Sequence, residues 1–99
     1  MINLEIRHLE IVQAILKKYP YTFYAFGSRA KDKAKRFSDL DICFKDPIPL
    51  NTQSHIEEDF EESNLPFKVD VVDWHQMTKD FQSLIEKDLE MIQKGSSSS

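Results

Sequence analysis

Residues 27–41 read GSRAKDKAKRFSDLD and lie between two apolar runs, YTFYAF at 21–26 and ICF at 42–44. We interpret both runs as strands, because they are short and apolar and the first is rich in aromatic residues. The first run stops abruptly at Gly27 and Ser28, where a strand can end and a helix can begin. Gly27 lets a phosphate approach the backbone, and Ser28 can cap a helix whose free N–H groups and dipole favour an anion. The stretch therefore predicts a phosphate-binding turn between a strand and a helix.

The same stretch ends in two aspartates that flank one leucine. Because side chains alternate along a strand, Asp39 and Asp41 are expected to project from one face. Two carboxylates at close range repel each other unless a cation lies between them, and hard cations such as Mg²⁺ prefer oxygen ligands. Basic residues separate the turn from the aspartates, which suits a bound triphosphate, although each lysine alone fits a solvated helix face equally well. These residues are Arg29, Lys31, Lys33, Lys35 and Arg36.

This combination of motifs resembles a known signature. The sequence Gly27-Ser28-Arg29, followed eleven to fourteen residues after the glycine by Ser38-Asp39-Leu40-Asp41, is similar to the motif of the minimal nucleotidyltransferases in the DNA polymerase β-like superfamily. The resemblance covers nearly the whole chain. It implies an α/β fold with a small mixed sheet of three to four strands and helices packed on it.

The resemblance also implies roles for particular residues. Asp39 and Asp41 would be the shared ligands of two Mg²⁺ ions, and Asp70 would bind the second ion and act as the base for an attacking hydroxyl. ATP would be the substrate, AMP the transferred group and pyrophosphate the product. The predicted nucleotide-binding residues are Gly27, Ser28, Arg29, Lys31 and Ser38.

Free-standing members of this family commonly accompany a small helical HEPN-domain protein, which is an RNase toxin. The resemblance therefore implies an antitoxin of a toxin–antitoxin pair, which adenylylates a tyrosine of its partner. The chain departs from many relatives in having Lys31-Asp32 where they carry an arginine-glycine pair. Two alternatives stay open: an inert module that masks its partner, and an unrelated α/β domain whose paired aspartates form a calcium or turn site.

Composition narrows the function further. The 99 residues suit one domain, and we place it at 1–94 with a flexible Gly/Ser tail at 95–99. A net charge of −4 argues against general nucleic-acid binding. No apolar run approaches a membrane span or a signal peptide, so a reducing cytoplasm is the expected location. Cys43 lies in an apolar run and is expected to be a core residue. A homodimer and a hetero-oligomer are both compatible with the sequence.

The remaining elements follow from periodicity and turn residues. Asn51 or Thr52 is expected to cap the helix at 52–63, and Thr78 the last helix. The helix at 52–63 carries a dense acidic surface, which is either a solvated face or faces a partner. Periodicity alone predicts one helix over 77–94, although relatives sometimes close with a short strand, which would fall at 89–93. The other predicted elements are helices at 4–18 and 28–35 and a strand at 67–74.

Two aspartates of the third strand compete for the role of third carboxylate. Alternation places Lys68, Asp70 and Val72 on one face, and Asp73 on the other. The family resemblance selects Asp70, whose neighbours along the strand are hydrophobic. Asp73 is expected to be a turn or helix-capping residue.

Overall fold

The computed structural model describes residues 6–26 and 40–95. Within these ranges the chain forms three α-helices, four strands and two short 3₁₀ helices. None of these helices combines the length and the apolar character needed to cross a bilayer. The elements in chain order are α1 (Ile6–Leu16), β1 (Phe23–Phe26), β2 (Leu40–Phe44), α2 (Leu50–Glu61), β3 (Val69–Asp73), a 3₁₀ turn (Trp74–Gln76), α3 (Lys79–Ile85), a second 3₁₀ turn (Glu86–Asp88) and β4 (Glu90–Gln93).

The strands form one mixed sheet in the order β3-β2-β1-β4. Strand β1 is antiparallel to both β2 and β4, whereas β2 and β3 are parallel. Parallel neighbours need a long crossover connection, and α2 lies in that connection. The predicted α/β fold with a small mixed sheet is confirmed.

Both faces of the sheet are covered by helices. Leu40, Ile42 and Phe44 of β2 are fully buried in a core that includes residues of α1 and α2. Cys43, which alternates with them, is fully buried in a second cluster with Phe26 and with Ile85 of α3. We refer to these two sides of the sheet as the α1/α2 face and the α3 face. The burial of Cys43 confirms its expected place in the core.

The predicted strands all form, with shifted ends. The strand predicted at 21–26 begins two residues later, at Phe23, and the strand predicted at 42–44 begins two residues earlier, at Leu40. The strand predicted at 67–74 is shorter at both ends, because only Val69–Asp73 pairs with β2. Pairing with a neighbour therefore sets the ends, which apolar patterning does not resolve.

Helix α1 ends earlier than predicted. The sequence predicts a helix over 4–18, but α1 ends at Leu16, and residues 4 and 5 lie outside the described ranges. The N–H groups of Lys18 and Tyr19 donate to carbonyls three residues back, at 3.2 and 2.9 Å. The chain thus tightens into a 3₁₀-type turn ahead of Pro20.

Helix α2 begins two residues before its predicted start and ends two residues before its predicted end. Pro49 occupies the N-cap position and provides no side-chain hydrogen bond, so the prediction of a cap at Asn51 or Thr52 is wrong. Leu50 is 81% exposed. Leu50 therefore lies outside the buried stripe of Ile56 and Phe60, on which the prediction of this helix rests. The helix predicted at 28–35 lies outside the described ranges.

The single helix predicted from the periodicity of 77–94 is wrong. Thr78 caps α3 as predicted, with its Oγ1 accepting the N–H of Phe81 at 3.2 Å, but α3 ends at Ile85. Ile85 and Ile92 lie in different core clusters, on opposite faces of the sheet. Residues 90–93 instead form a strand that pairs with β1, as in those relatives that close with a short strand. Tertiary pairing outweighs the local helical pattern here.

Side-chain hydrogen bonds fix strand β4 to the turn after α1. The Gln93 amide nitrogen donates to the carbonyls of Leu16, Tyr19 and Tyr21, at 2.8, 2.8 and 3.0 Å. Gly95, which the sequence assigns to the tail, donates its N–H to Thr22 Oγ1 at 2.7 Å. Residue 95 is therefore held by the fold, while 96–99 lie outside the described ranges.

Candidate active site

Asp41 and Asp70 lie beside each other on the two parallel strands. Asp41 of β2 is registered with Asp70 of β3, and their neighbours Leu40 and Val69 are registered in the same way. Adjacent strands are about 4.8 Å apart, and registered side chains leave the same face. Because Leu40 and Val69 belong to the core on the α1/α2 face, both aspartates project from the α3 face. The fold thus brings two of the three predicted carboxylates together.

A cleft with a volume of about 810 Å³ includes both aspartates in its lining. This volume is within the range typical of small-molecule sites. Carboxylates and aromatic rings from separate elements make up much of its wall. The acidic lining residues are Asp41, Glu57, Glu61 and Asp70, and the aromatic ones are Phe26, Phe60, Phe67 and Phe81.

Lys68 is the one cation among the described residues that line the cleft. Its Nζ lies 3.7 Å from Asp70 Oδ1, and the two side chains are 73% and 41% exposed. At this exposure the ion pair contributes little to stability. Alternation along the strand predicts Lys68 on the face of Asp70, but the sequence predicts no role for it. Residues two apart along a strand project from the same face, and this spacing is what places Lys68 beside Asp70.

Asp73 is separated from the carboxylate pair. Its Oδ1 accepts the N–H of His75 at 2.9 Å, so that Asp73 caps the 3₁₀ turn after β3. Asp73 and Asp70 are three residues apart on a strand, which places them on opposite faces. The prediction that Asp73 is a turn or capping residue is confirmed.

Phe81 is a further lining residue, and it belongs to the apolar residues whose helical spacing predicts a helix over 77–94. It is 41% exposed, and its ring contacts the Phe26 ring edge-to-face, with centroids 6.1 Å apart. Phe26 is itself registered with Asp41 across β1 and β2. The helical spacing of Phe81 gave no indication of this position, because core residues have the same spacing.

Several predicted site residues fall on the segment 27–39, which lies outside the described ranges. The segment is flanked by Phe26 and Leu40. Phe26 is registered with Asp41 across β1 and β2, and Leu40 directly precedes Asp41 on β2. The roles assigned to these residues therefore stay predictions. They are Gly27, Ser28, Arg29, Lys31, Ser38 and Asp39.

The carboxylate pair has the chemistry that a divalent cation requires. Asp41 and Asp70 supply hard oxygen donors on one face, and the Asp70 side chain is open to solvent. Across 6–26 and 40–95, no group of three or more histidine, cysteine, aspartate or glutamate side chains is placed to hold a metal. The third predicted ligand, Asp39, is not among those residues. Asp41 and Asp70 are two of the three predicted ligands, and their role as metal ligands stays a prediction.

A mixed sheet with registered aspartates on adjacent parallel strands, in a chain whose sequence carries a Gly-Ser pair ahead of them, is the arrangement expected of a nucleotidyltransferase. The family model described as "Polymerase beta, Nucleotidyltransferase" matches residues 10–97. The chain belongs to this family, and the resemblance that the motifs suggested is confirmed.

A relative from another organism gives a more specific likeness. The chain is 38% identical over 97 residues to a Haemophilus influenzae protein named "Probable protein adenylyltransferase MntA". The match covers 94% of this chain and 85% of the relative. The two proteins thus correspond over most of their lengths.

Proposed function

We propose that this chain transfers AMP from ATP to a hydroxyl group of a partner protein. The observation that carries the proposal is the registered pair Asp41 and Asp70 on one face of the sheet. The similar Haemophilus influenzae protein is named for adenylyl transfer to protein, which supports both the transferred group and the class of acceptor.

In this proposal Asp39, Asp41 and Asp70 hold two Mg²⁺ ions. Bound divalent cations offset the negative charge of the phosphates and align the attacking and leaving oxygens. The proximity of Asp41 and Asp70 supports their share in this ligand set. Without such a cation, two adjacent carboxylates on one face repel each other.

The chain's own groups position the substrates and move the proton. The acceptor oxygen forms a bond to the α-phosphorus, and the bond from that phosphorus to the bridging oxygen breaks, which releases pyrophosphate. Asp70 takes the proton of the hydroxyl, and its exposure of 41% supports access by an acceptor. Gly27 and Ser28 hold the β- and γ-phosphates, while Arg29 or Lys31 offsets developing charge.

We propose that the partner is a HEPN-domain protein, that the chain acts as its antitoxin, and that both act in the cytoplasm. This part of the proposal rests on the family resemblance. The open cleft supports a macromolecular acceptor, because its lining includes Glu57 and Glu61 of α2 as well as Asp70. Strand β3, which carries Asp70, is at the edge of the sheet.

Labelled ATP tests the proposal. The chain is incubated with Mg²⁺, ATP and a HEPN-domain protein encoded beside it, with the label on either the α- or the γ-phosphate. We expect label on the partner only from α-labelled ATP, and none when EDTA is present. The matched control is the Asp39→Asn, Asp41→Asn double variant, which should transfer none.

The same experiment distinguishes the rival function. If neither protein is labelled while both wild type and double variant form an equally stable complex with the partner, the chain is a binding module. Transfer of γ-label would contradict adenylyl transfer, because it would identify a kinase reaction instead.

A further inference from the structure

An exposed aromatic ring lines the cleft beside Phe26 of β1. Phe81 of α3 is 41% exposed, whereas Phe26, which it contacts, is 4% exposed. Burial of Phe26 fixes one side of the contact, and the rest of the Phe81 ring lines the cleft. Large exposed aromatic residues in a cleft are informative, since burial of such a ring is otherwise favourable.

The sheet order assigns the two ends of the cleft to different substrates. Asp70 lies on β3, Asp41 on β2 and Phe26 on β1, in that spatial order. In the proposed reaction the acceptor hydroxyl meets Asp70, so the acceptor enters on the β3 side. The β1 side, where Phe81 contacts Phe26, is left for the nucleotide.

We infer that Phe81 is the platform on which the base of the nucleotide stacks. This inference rests on the proposed function, because it names the part of ATP that this ring binds. Every nucleobase has a π-face, so stacking on one ring gives affinity with little discrimination between bases. Phe81 therefore contributes to the binding of ATP and GTP alike, and makes no contribution to the binding of a ligand that has no base.

Leu84 provides a matched control on the same helix. It is 66% exposed and is not part of the cleft lining. Leu84→Ala thus removes an exposed apolar side chain of α3 without touching the proposed platform. Phe81→Leu removes the aromatic ring but retains apolar bulk, and Phe81→Trp retains an aromatic face.

The experiment measures equilibrium binding of ATP, GTP and inorganic tripolyphosphate in Mg²⁺ by calorimetry, with thermal unfolding as the check on folding. We expect Phe81→Leu to bind ATP and GTP about tenfold more weakly, the loss typical of one base stack. Its affinity for tripolyphosphate should equal that of the wild type. Phe81→Trp and Leu84→Ala should bind all three ligands as the wild type does.

Each other outcome overturns the inference in a recognisable way. Unchanged ATP binding by Phe81→Leu, or an equal loss for ATP and tripolyphosphate, excludes a base platform while leaving adenylyl transfer intact. An equal loss in Leu84→Ala excludes it as well. A wild-type chain that binds neither ATP nor tripolyphosphate overturns the proposed function together with this inference.

Discussion

Asp41 and Asp70 are registered neighbours on parallel strands, and both project from the face of the sheet that α3 covers. Two unit charges about 5 Å apart repel by roughly 3 kcal/mol at an effective dielectric constant of about 20. Solvent weakens this repulsion, because the Asp70 side chain is 41% exposed. A divalent cation between the two carboxylates would offset this repulsion.

Removing the charge of Lys68 should strengthen divalent-cation binding. Lys68 Nζ lies 3.7 Å from Asp70 Oδ1 and competes with a cation for that carboxylate. An exposed ion pair is worth about 0.2–1 kcal/mol, so we expect Lys68→Met to bind Mn²⁺ up to about fivefold more tightly. Electron paramagnetic resonance of free Mn²⁺ measures this without nucleotide or turnover.

Lys87→Met is the control for net charge, because Lys87 is exposed and does not line the cleft. It should bind Mn²⁺ as the wild type does. If Lys68→Met and Lys87→Met both bind Mn²⁺ more tightly by the same factor, only the overall charge of the protein matters. That result would contradict a specific role for Lys68.

Tyr19 should make stability fall at alkaline pH. Burial, followed by its hydrogen bond to Asp59 Oδ2, raises the pKa of Tyr19 to about 12. In the unfolded chain a tyrosine titrates near pH 10, so the stabilisation is complete below about pH 10 and is lost as the pH rises through about 12. Tyr19→Phe should lose about 1 kcal/mol of unfolding free energy at pH 7.

Urea unfolding of wild type and Tyr19→Phe at increasing pH tests this prediction. The difference in stability between the two should shrink between about pH 10 and 12, because only the wild type loses the contribution of this proton. Parallel pH curves would show that the hydrogen bond between Tyr19 and Asp59 is absent in solution.

Cys43 should resist alkylation while the protein is folded. The thiol is fully buried, and burial raises its pKa to about 11, with Lys45 opposing the rise. The thiolate is the reactive form, and it is scarce at pH 8. Iodoacetamide should therefore modify the thiol only in denaturant, as followed by mass spectrometry. Rapid modification of the folded chain would show that the α3 face opens.

The sequence predicts the local parts of this site better than their spatial relation. Alternation along one strand was enough to separate Asp70 from Asp73, because it requires no knowledge of the neighbouring strands. The registration of Asp70 with Asp41 depends on how β3 pairs with β2, and no local pattern specifies that. Ile92 shows the same limit, since its helical spacing was overruled by pairing of 90–93 with β1. Phe81 has the helical spacing of a core residue, and only its exposure in the fold distinguishes it from a buried residue of the same helix.

Transfer of AMP by two aspartate variants of the same strand tests the central claim most directly. The rate of partner labelling from α-labelled ATP is compared for wild type, Asp70→Asn and Asp73→Asn. The labelling rate of Asp70→Asn should be lower than that of the wild type by about a hundredfold or more, as expected when a general base is removed. Asp73→Asn retains an oxygen that can accept the N–H of His75 and should keep the wild-type rate. Full activity in Asp70→Asn, or an equal loss in Asp73→Asn, would contradict the assignment of this site.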